Sequence, residues 1–233
     1  KNDEDIPALG LRGIRMSLAN PELFSIQLRA ILRASFYGNV KIMYPMISDV
    51  QEVIQANSLL DKVKEEMKEK QIPYSDDIEI GAVIETPSAV ICSDQILKEV
   101  DFISIGTNDL IQYILAVDRM NEQVAHLYQS YNPAILKALK QVFDNARLAG
   151  KKVSICGELG GDPLATLFLL GLSNLDSLSM DPHAIPHVKK IIGQSDMKDA
   201  KKFTEQLLNL NTTNEINCFL NAEMRKRYPL DFQ

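Results

Sequence analysis

Residues 78–109 read IEIGAVIETPSAVICSDQILKEVDFISIGTND, and the fold turns on how this stretch is parsed. Two short runs, Ile78 to Glu85 and Asp101 to Gly106, are rich in Ile and Val and nearly continuous in apolar residues, which suits strands covered on both faces. Each run ends in a polar motif, Glu85-Thr86-Pro87 in one case and Gly106-Thr107-Asn108-Asp109 in the other. No hairpin signal lies between them, so the chain must cross over before pairing, and the two strands are expected to be parallel.

Outward from this stretch, three more runs have the same character: Val40 to Met46 (VKIMYPM), Lys152 to Gly157 (KVSICG) and Leu175 to Met180 (LDSLSM). Helices are expected between them, with start signals at Asn20-Pro21, Asn132-Pro133, Asp162-Pro163 and Asp181-Pro182, where a capping side chain precedes a proline whose missing N–H is no loss. Ser48 with Gln51, and Thr212 with Glu215, have the spacing of capping boxes. A long amphipathic helix is expected from Asp49 to about Gln71, packed through Val50, Val53, Ile54, Leu60 and Val63, with its KVKEEMKEK stretch as a solvated face.

Strand and helix in alternation give an α/β fold with a parallel sheet. No GxGxxG follows the first strand, as a dinucleotide-binding sheet would require. Instead polar groups recur at strand ends, Cys156-Gly157-Glu158 and Ser179-Met180 included, which is where a (β/α)8 TIM barrel builds its site. The 233 residues form one domain in this reading, with no repeat and no linker.

Composition narrows the function. With 25 Lys+Arg against 31 Asp+Glu the net charge is -6, which argues against nucleic acid and a polybasic membrane contact. Three widely spaced cysteines exclude a disulfide framework and a zinc cluster. No run is long enough to span a membrane and the acidic start is unlike a signal peptide, so a cytoplasmic location is expected.

Glu85 and Asp109, each at the end of an apolar strand, can share a hard cation such as Mg²⁺, or each can cap the next helix. Arg12, Arg15 and Arg119 can bind paired oxygens of an anion, or serve as surface charge. Cys156 can donate a proton or act as nucleophile at a strand mouth, or pack as a small hydrophobe. Cys92 and Cys218 are assigned to packing, and metal ligation by His183 and His187 is disfavoured by the intervening Pro186.

The segments LGLRGIR (Leu9 to Arg15), QLRAILRAS (Gln27 to Ser35), IMYPM (Ile42 to Met46), IETPSA (Ile84 to Ala89), SIGTNDLIQY (Ser104 to Tyr113), AVDR (Ala116 to Arg119) and CGELGGD (Cys156 to Asp162) occur in order through the chain. Together they resemble enzyme I of the bacterial phosphoenolpyruvate:sugar phosphotransferase system. The CGELGGD form is less similar to the dikinase and synthase branches of the phosphoenolpyruvate-utilising enzymes. The resemblance implies a barrel that binds phosphoenolpyruvate and Mg²⁺ and forms a homodimer. It implies that Glu85 and Asp109 hold the metal, that Arg12, Asn108, Asp109 and Arg119 hold the substrate, and that Cys156 protonates the enolate carbon to give pyruvate.

The family's phosphoryl-accepting histidine lies in a separate N-terminal domain, through which the phosphocarrier protein is served, and no histidine here resembles it. The family barrel also begins with three strands ahead of LGLRGIR, so the chain is expected to hold the last five strands and to be a fragment. Open strand edges then call for dimerisation or a partner. Two rivals remain: a dimerisation or regulatory module without substrate binding, and a dikinase, synthase or pyruvate-enolate lyase barrel.

Overall fold

The computed structural model describes residues 7–232. The chain divides into two compact units, Lys1–Ile103 and Ser104–Gln233. Its five strands form one sheet in chain order, and helices occupy every connection. This is the expected α/β arrangement, five of the eight strand–helix units of a (β/α)8 barrel.

In the first unit, α1 (Ile14–Ala19) and α2 (Pro21–Ser35) precede β1 (Ile42–Tyr44), α3 (Val50–Glu69), β2 (Ile80–Ile84), α4 (Pro87–Ile91) and α5 (Ser93–Ile96). β1 and β2 run parallel, Ile42 opposite Ile80 and Tyr44 opposite Ala82. β1 is shorter than the expected Val40 to Met46, because Pro45 has no N–H to extend the ladder and Met46 turns into the left-handed region at φ 59°. α3 buries Val53, Ala56, Leu60, Val63 and Met67, each large apolar side chain contributing about 1.5–3 kcal/mol. Ile54, expected in that row, is exposed, and Val50 is half-buried. The capping box lies one residue beyond the expected pair: the Asp49 carboxylate accepts from the Gln51 N–H, and Glu52 Oε2 accepts from the Asp49 N–H. Asn20 does not cap α2, because its Nδ2 donates back to the Met16 carbonyl of α1.

β3 (Phe102–Gly106) carries the boundary between the units. The second unit continues with α6 (Thr107–Leu115), α7 (Pro133–Ala149), β4 (Lys152–Cys156), α8 (Pro163–Gly171), β5 (Leu175–Leu178), α9 (Ile185–Gln194), α10 (Met197–Leu208) and α11 (Thr213–Arg227). Asn132 and Asp162 cap α7 and α8 as expected, accepting from the Ala134 and Leu164 N–H groups. Asp181 instead accepts from the His183 N–H in a turn, and α9 starts four residues later with Pro186 in its first turn. β5 is not covered on both faces, since Asp176 and Ser177 are exposed. Cys218 is exposed on α11 rather than packed, and Cys92 is half-buried at the end of α4.

α8 and α10 pack at close range. A methyl group at Gly171 would overlap the Thr204 hydroxyl and the Ala200 carbonyl, and that hydroxyl already donates to the Phe168 carbonyl at 2.9 Å. Gly171→Ala is therefore expected to lower the unfolding free energy by about 1–3 kcal/mol, read by urea denaturation. At the start of α11, Glu215 accepts from the Asn211 and Thr212 N–H groups and the Thr212 hydroxyl, which holds its carboxyl below the usual 4.5. A carboxyl depressed on folding stabilises above its unfolded pKa and loses that contribution as pH falls through the folded one. Glu215→Gln should thus reduce the loss of thermal stability as pH falls below the usual carboxylate range, measured as Tm against pH.

Candidate functional site

In the first unit the chain around Arg12 is set by Gly13, whose φ of 56° suits glycine and whose added Cβ would stand 2.6 Å from Met46 Cβ. Ile14 N–H donates to the Pro45 carbonyl at 3.1 Å, pinning this turn to the end of β1. Met46 N–H in turn donates to Glu85 Oε1 at 2.6 Å. Arg12, half-buried, thus lies on a turn fixed against the segment that holds Glu85.

Glu85 does not cap α4. Thr86 does so, its Oγ1 accepting from Ala89 N–H at 3.2 Å while donating to the Ile47 carbonyl at 2.7 Å. The Glu85 carboxylate is therefore kept at the end of β2, only 8% exposed, where a charge is costly unless partnered. Arg15 is spent on the chain itself, its Nη1 donating to the Leu9 and Gly10 carbonyls.

In the second unit β3 ends at Gly106, and α6 begins at Thr107 without a side-chain cap bond. Asn108 and Asp109 occupy the first helical turn, where backbone N–H groups favour negative charge and anions. Asn108 Oδ1 accepts from the Glu158 N–H at 2.9 Å, and Thr107 Oγ1 donates to the Cys156 carbonyl at 3.0 Å. These bonds tie the end of β3 to the end of β4. Gly157 lies in the middle with φ 100°, and a Cβ there would stand 2.5 Å from Thr107 Oγ1 and 2.8 Å from Asn108 Oδ1.

Cys156 is half-buried, with Sγ donating to the Ile105 carbonyl and accepting from the Ser104 hydroxyl, both at 3.4 Å. Ser104 is 3% exposed on β3. Arg119 lies on the loop after α6, which closes on a left-handed Ala116, and its N–H donates to Gln112 Oε1 at 3.2 Å. Tyr128 Oη donates to the Asn108 carbonyl at 3.2 Å. Burial first, then the Glu158 carboxylate, push the Tyr128 phenol up, with the nearby Arg119 guanidinium acting in the opposite direction and Asp109 adding the smallest push. The phenol therefore keeps its proton at neutral pH.

Two cavities open beside these groups. One, about 400 Å³, is lined by Asn108, Gly157, Glu158, Ser179 and Asp181, and the other, about 390 Å³, by Arg119, Tyr128 and Glu158. The second unit thus gathers Asn108, Asp109, Arg119 and Cys156 on turns linked by hydrogen bonds. Sequence reasoning gave no site role to Met46, Ser104 or Tyr128, and named Glu158 only as part of a polar strand end. Ser104 was detectable as the polar residue inside an apolar strand. His187 lies 3.6 Å from Asp231, and among the described residues no three His, Cys, Asp or Glu side chains cluster as a metal site.

The model for the PEP-binding domain of PEP-utilising enzymes matches residues 1–197. The chain belongs to that family. Phosphoenolpyruvate-protein phosphotransferase of Bacillus subtilis (strain 168) is 48% identical over 214 residues, covering 92% of this chain and 37% of its own length. The same-named protein of Listeria monocytogenes is 49% identical with the same coverage. The chain therefore spans a little over a third of these relatives. Among solved structures, a citrate lyase from Burkholderia xenovorans superposes with a TM-score of 0.54 at 13% identity, covering 87% of this chain and 68% of that one. At that identity the likeness concerns the fold alone. Among the described residues of this PEP-binding domain no helix is long and apolar enough to cross a membrane.

Because Gly157 fits only without a side chain, Gly157→Ala in this PEP-binding domain is expected to cost about 1–3 kcal/mol in urea unfolding and to shift the Asn108 side-chain amide resonances. An unchanged Asn108 signal would contradict the tie between the two turns.

Proposed function

We propose that this PEP-binding domain is the phosphoenolpyruvate- and Mg²⁺-binding part of a phosphoenolpyruvate-protein phosphotransferase. The whole enzyme passes the phosphoryl group to a histidine outside this chain, and from there to a phosphocarrier protein, releasing pyruvate. The observation that carries the reading is the Glu85 carboxylate, 8% exposed at a strand end and not used as a helix cap, in a chain of the PEP-binding family.

Glu85 and Asp109 supply hard carboxylate oxygens, the donor chemistry Mg²⁺ takes alongside substrate phosphate oxygens. When bound, Mg²⁺ neutralises charge on the phosphoryl and enolate oxygens. Arg12 and Arg119 bind anionic oxygens through paired N–H groups. Asn108, its Oδ1 committed to the Glu158 N–H, offers Nδ2 to the substrate, and the Asp109 N–H in the first turn of α6 adds a second donor. Phosphoryl transfer needs positioning and charge neutralisation more than covalent help, and these residues supply both.

Loss of the phosphoryl group leaves pyruvate enolate, whose methylene carbon takes the Cys156 proton: an S–H bond breaks, a C–H bond forms and a thiolate remains. Ser104 supports this step, because a hydroxyl donating to Sγ stabilises the thiolate. The same reading carries a homodimer in the cytoplasm, with residues 1–233 as one portion of a larger barrel domain.

Calorimetric titration tests it. Phosphoenolpyruvate with Mg²⁺ is expected to bind saturably, and Arg12→Ala or Asp109→Ala to weaken binding by about tenfold or more, as for lost charge-assisted hydrogen bonds. No heat with the intact protein would favour a dimerisation or regulatory module instead.

A further inference from the structure

Arg119, one of the groups assigned to the substrate, is exposed. It lies in a loop that comes after a left-handed Ala116, with Met120 beyond it 82% exposed. Its backbone N–H is fixed to Gln112 Oε1, which leaves a long side chain still to be ordered. Two acceptors face it. Glu158 lines the same cavity, and a carboxylate paired with the guanidinium would compete with an incoming phosphoryl oxygen. Tyr128, which lines the cavity too, is the other, and a neutral phenol oxygen holds a guanidinium without cancelling its charge. The phenol is also a stiff strut with two side-chain torsions, half-buried at the end of a short helical turn, Ala125–Leu127.

We infer that Tyr128 is a positioning residue of the substrate site: one phenol oxygen donates to the Asn108 carbonyl and accepts from Arg119, fixing the first turn of α6 and the arginine at one spacing. The inference rests on the phosphoenolpyruvate reading for its consequence, though not for the contact itself. Tyr128 acts through Asn108 and Arg119 and takes no proton from the substrate. Its effect belongs to the arginine: without the phenol proton donor and acceptor, Arg119 is free to swing toward Glu158, and the anion meets a site that must first be rearranged.

The test uses the intact protein, with Tyr128→Phe, Arg119→Ala and the double variant. Tyr128→Phe keeps the ring and its packing. Titrated with phosphoenolpyruvate and Mg²⁺, Tyr128→Phe is expected to weaken binding about 3- to 10-fold, the net range of one ordinary hydrogen bond, since the phenol acts on the substrate only through Arg119 and Asn108. In the Arg119→Ala background the same change is expected to cost less than about twofold, because the two side chains act as one unit. Wild-type affinity in Tyr128→Phe, or an equal loss in both backgrounds, overturns the inference. A second readout needs no substrate: the heteronuclear NOE of the Arg119 Nε–Hε group in the free protein, expected to fall in Tyr128→Phe. If the wild-type protein binds no phosphoenolpyruvate, the functional reading fails while this NOE still decides the contact, and an unchanged NOE overturns it.

Discussion

The joint between the ends of β3 and β4 governs the site. Thr107 and Asn108 reach across to the Cys156 carbonyl and the Glu158 N–H, and they can do so only because Gly157 presents bare backbone at φ 100°. The candidate groups of the second unit are tied to that joint. Asn108 is oriented by it, Tyr128 donates to the Asn108 carbonyl and lines a cavity together with Arg119, and Cys156 lies on the strand it closes. A parallel strand delivers its last residue to a helix through a tight turn, so polar side chains at that turn are held by backbone rather than by flexible loops.

The first unit solves a different problem, a carboxylate at the end of a buried strand. Glu85 is accommodated by the Met46 N–H, which a left-handed residue after Pro45 aims at it, and Gly13 lets the Arg12 turn approach that segment closely. Thr86 takes over helix capping, so the acid is not needed as a cap. Retaining a partly desolvated charge costs stability, and such positions are where function is concentrated.

Strand order and the polar strand ends were legible in the sequence because buried parallel strands are apolar throughout and end abruptly. The Thr212–Glu215 box was legible because capping is a local interaction. Three kinds of error had physical causes. Asp49 displaced Ser48 as cap because a carboxylate one residue on reaches the same N–H groups, while Ser48 N–H was left to Glu52 Oε2. Asp181 made a turn rather than a helix start, because an Asp side chain that accepts from the N–H two residues on serves either conformation equally well. β5 kept Asp176 and Ser177 in solvent, so an apolar average concealed an uncovered strand. Tyr128 was invisible because its meaning lies in contacts with residues 9 and 20 positions away.

The chain belongs to the PEP-binding family, and the proposed substrate is a small, highly charged anion. The chain's net charge of -6 is then a background against which a few fixed cations and N–H donors concentrate the attraction. The most direct measurement is a backbone amide NMR titration with phosphoenolpyruvate in the presence of Mg²⁺. The account predicts saturable shifts at Asn108, Asp109, Arg119 and Glu158, and at Gly13 and Glu85, that are lost without the metal. Absent shifts, or shifts confined to other surfaces, would contradict it.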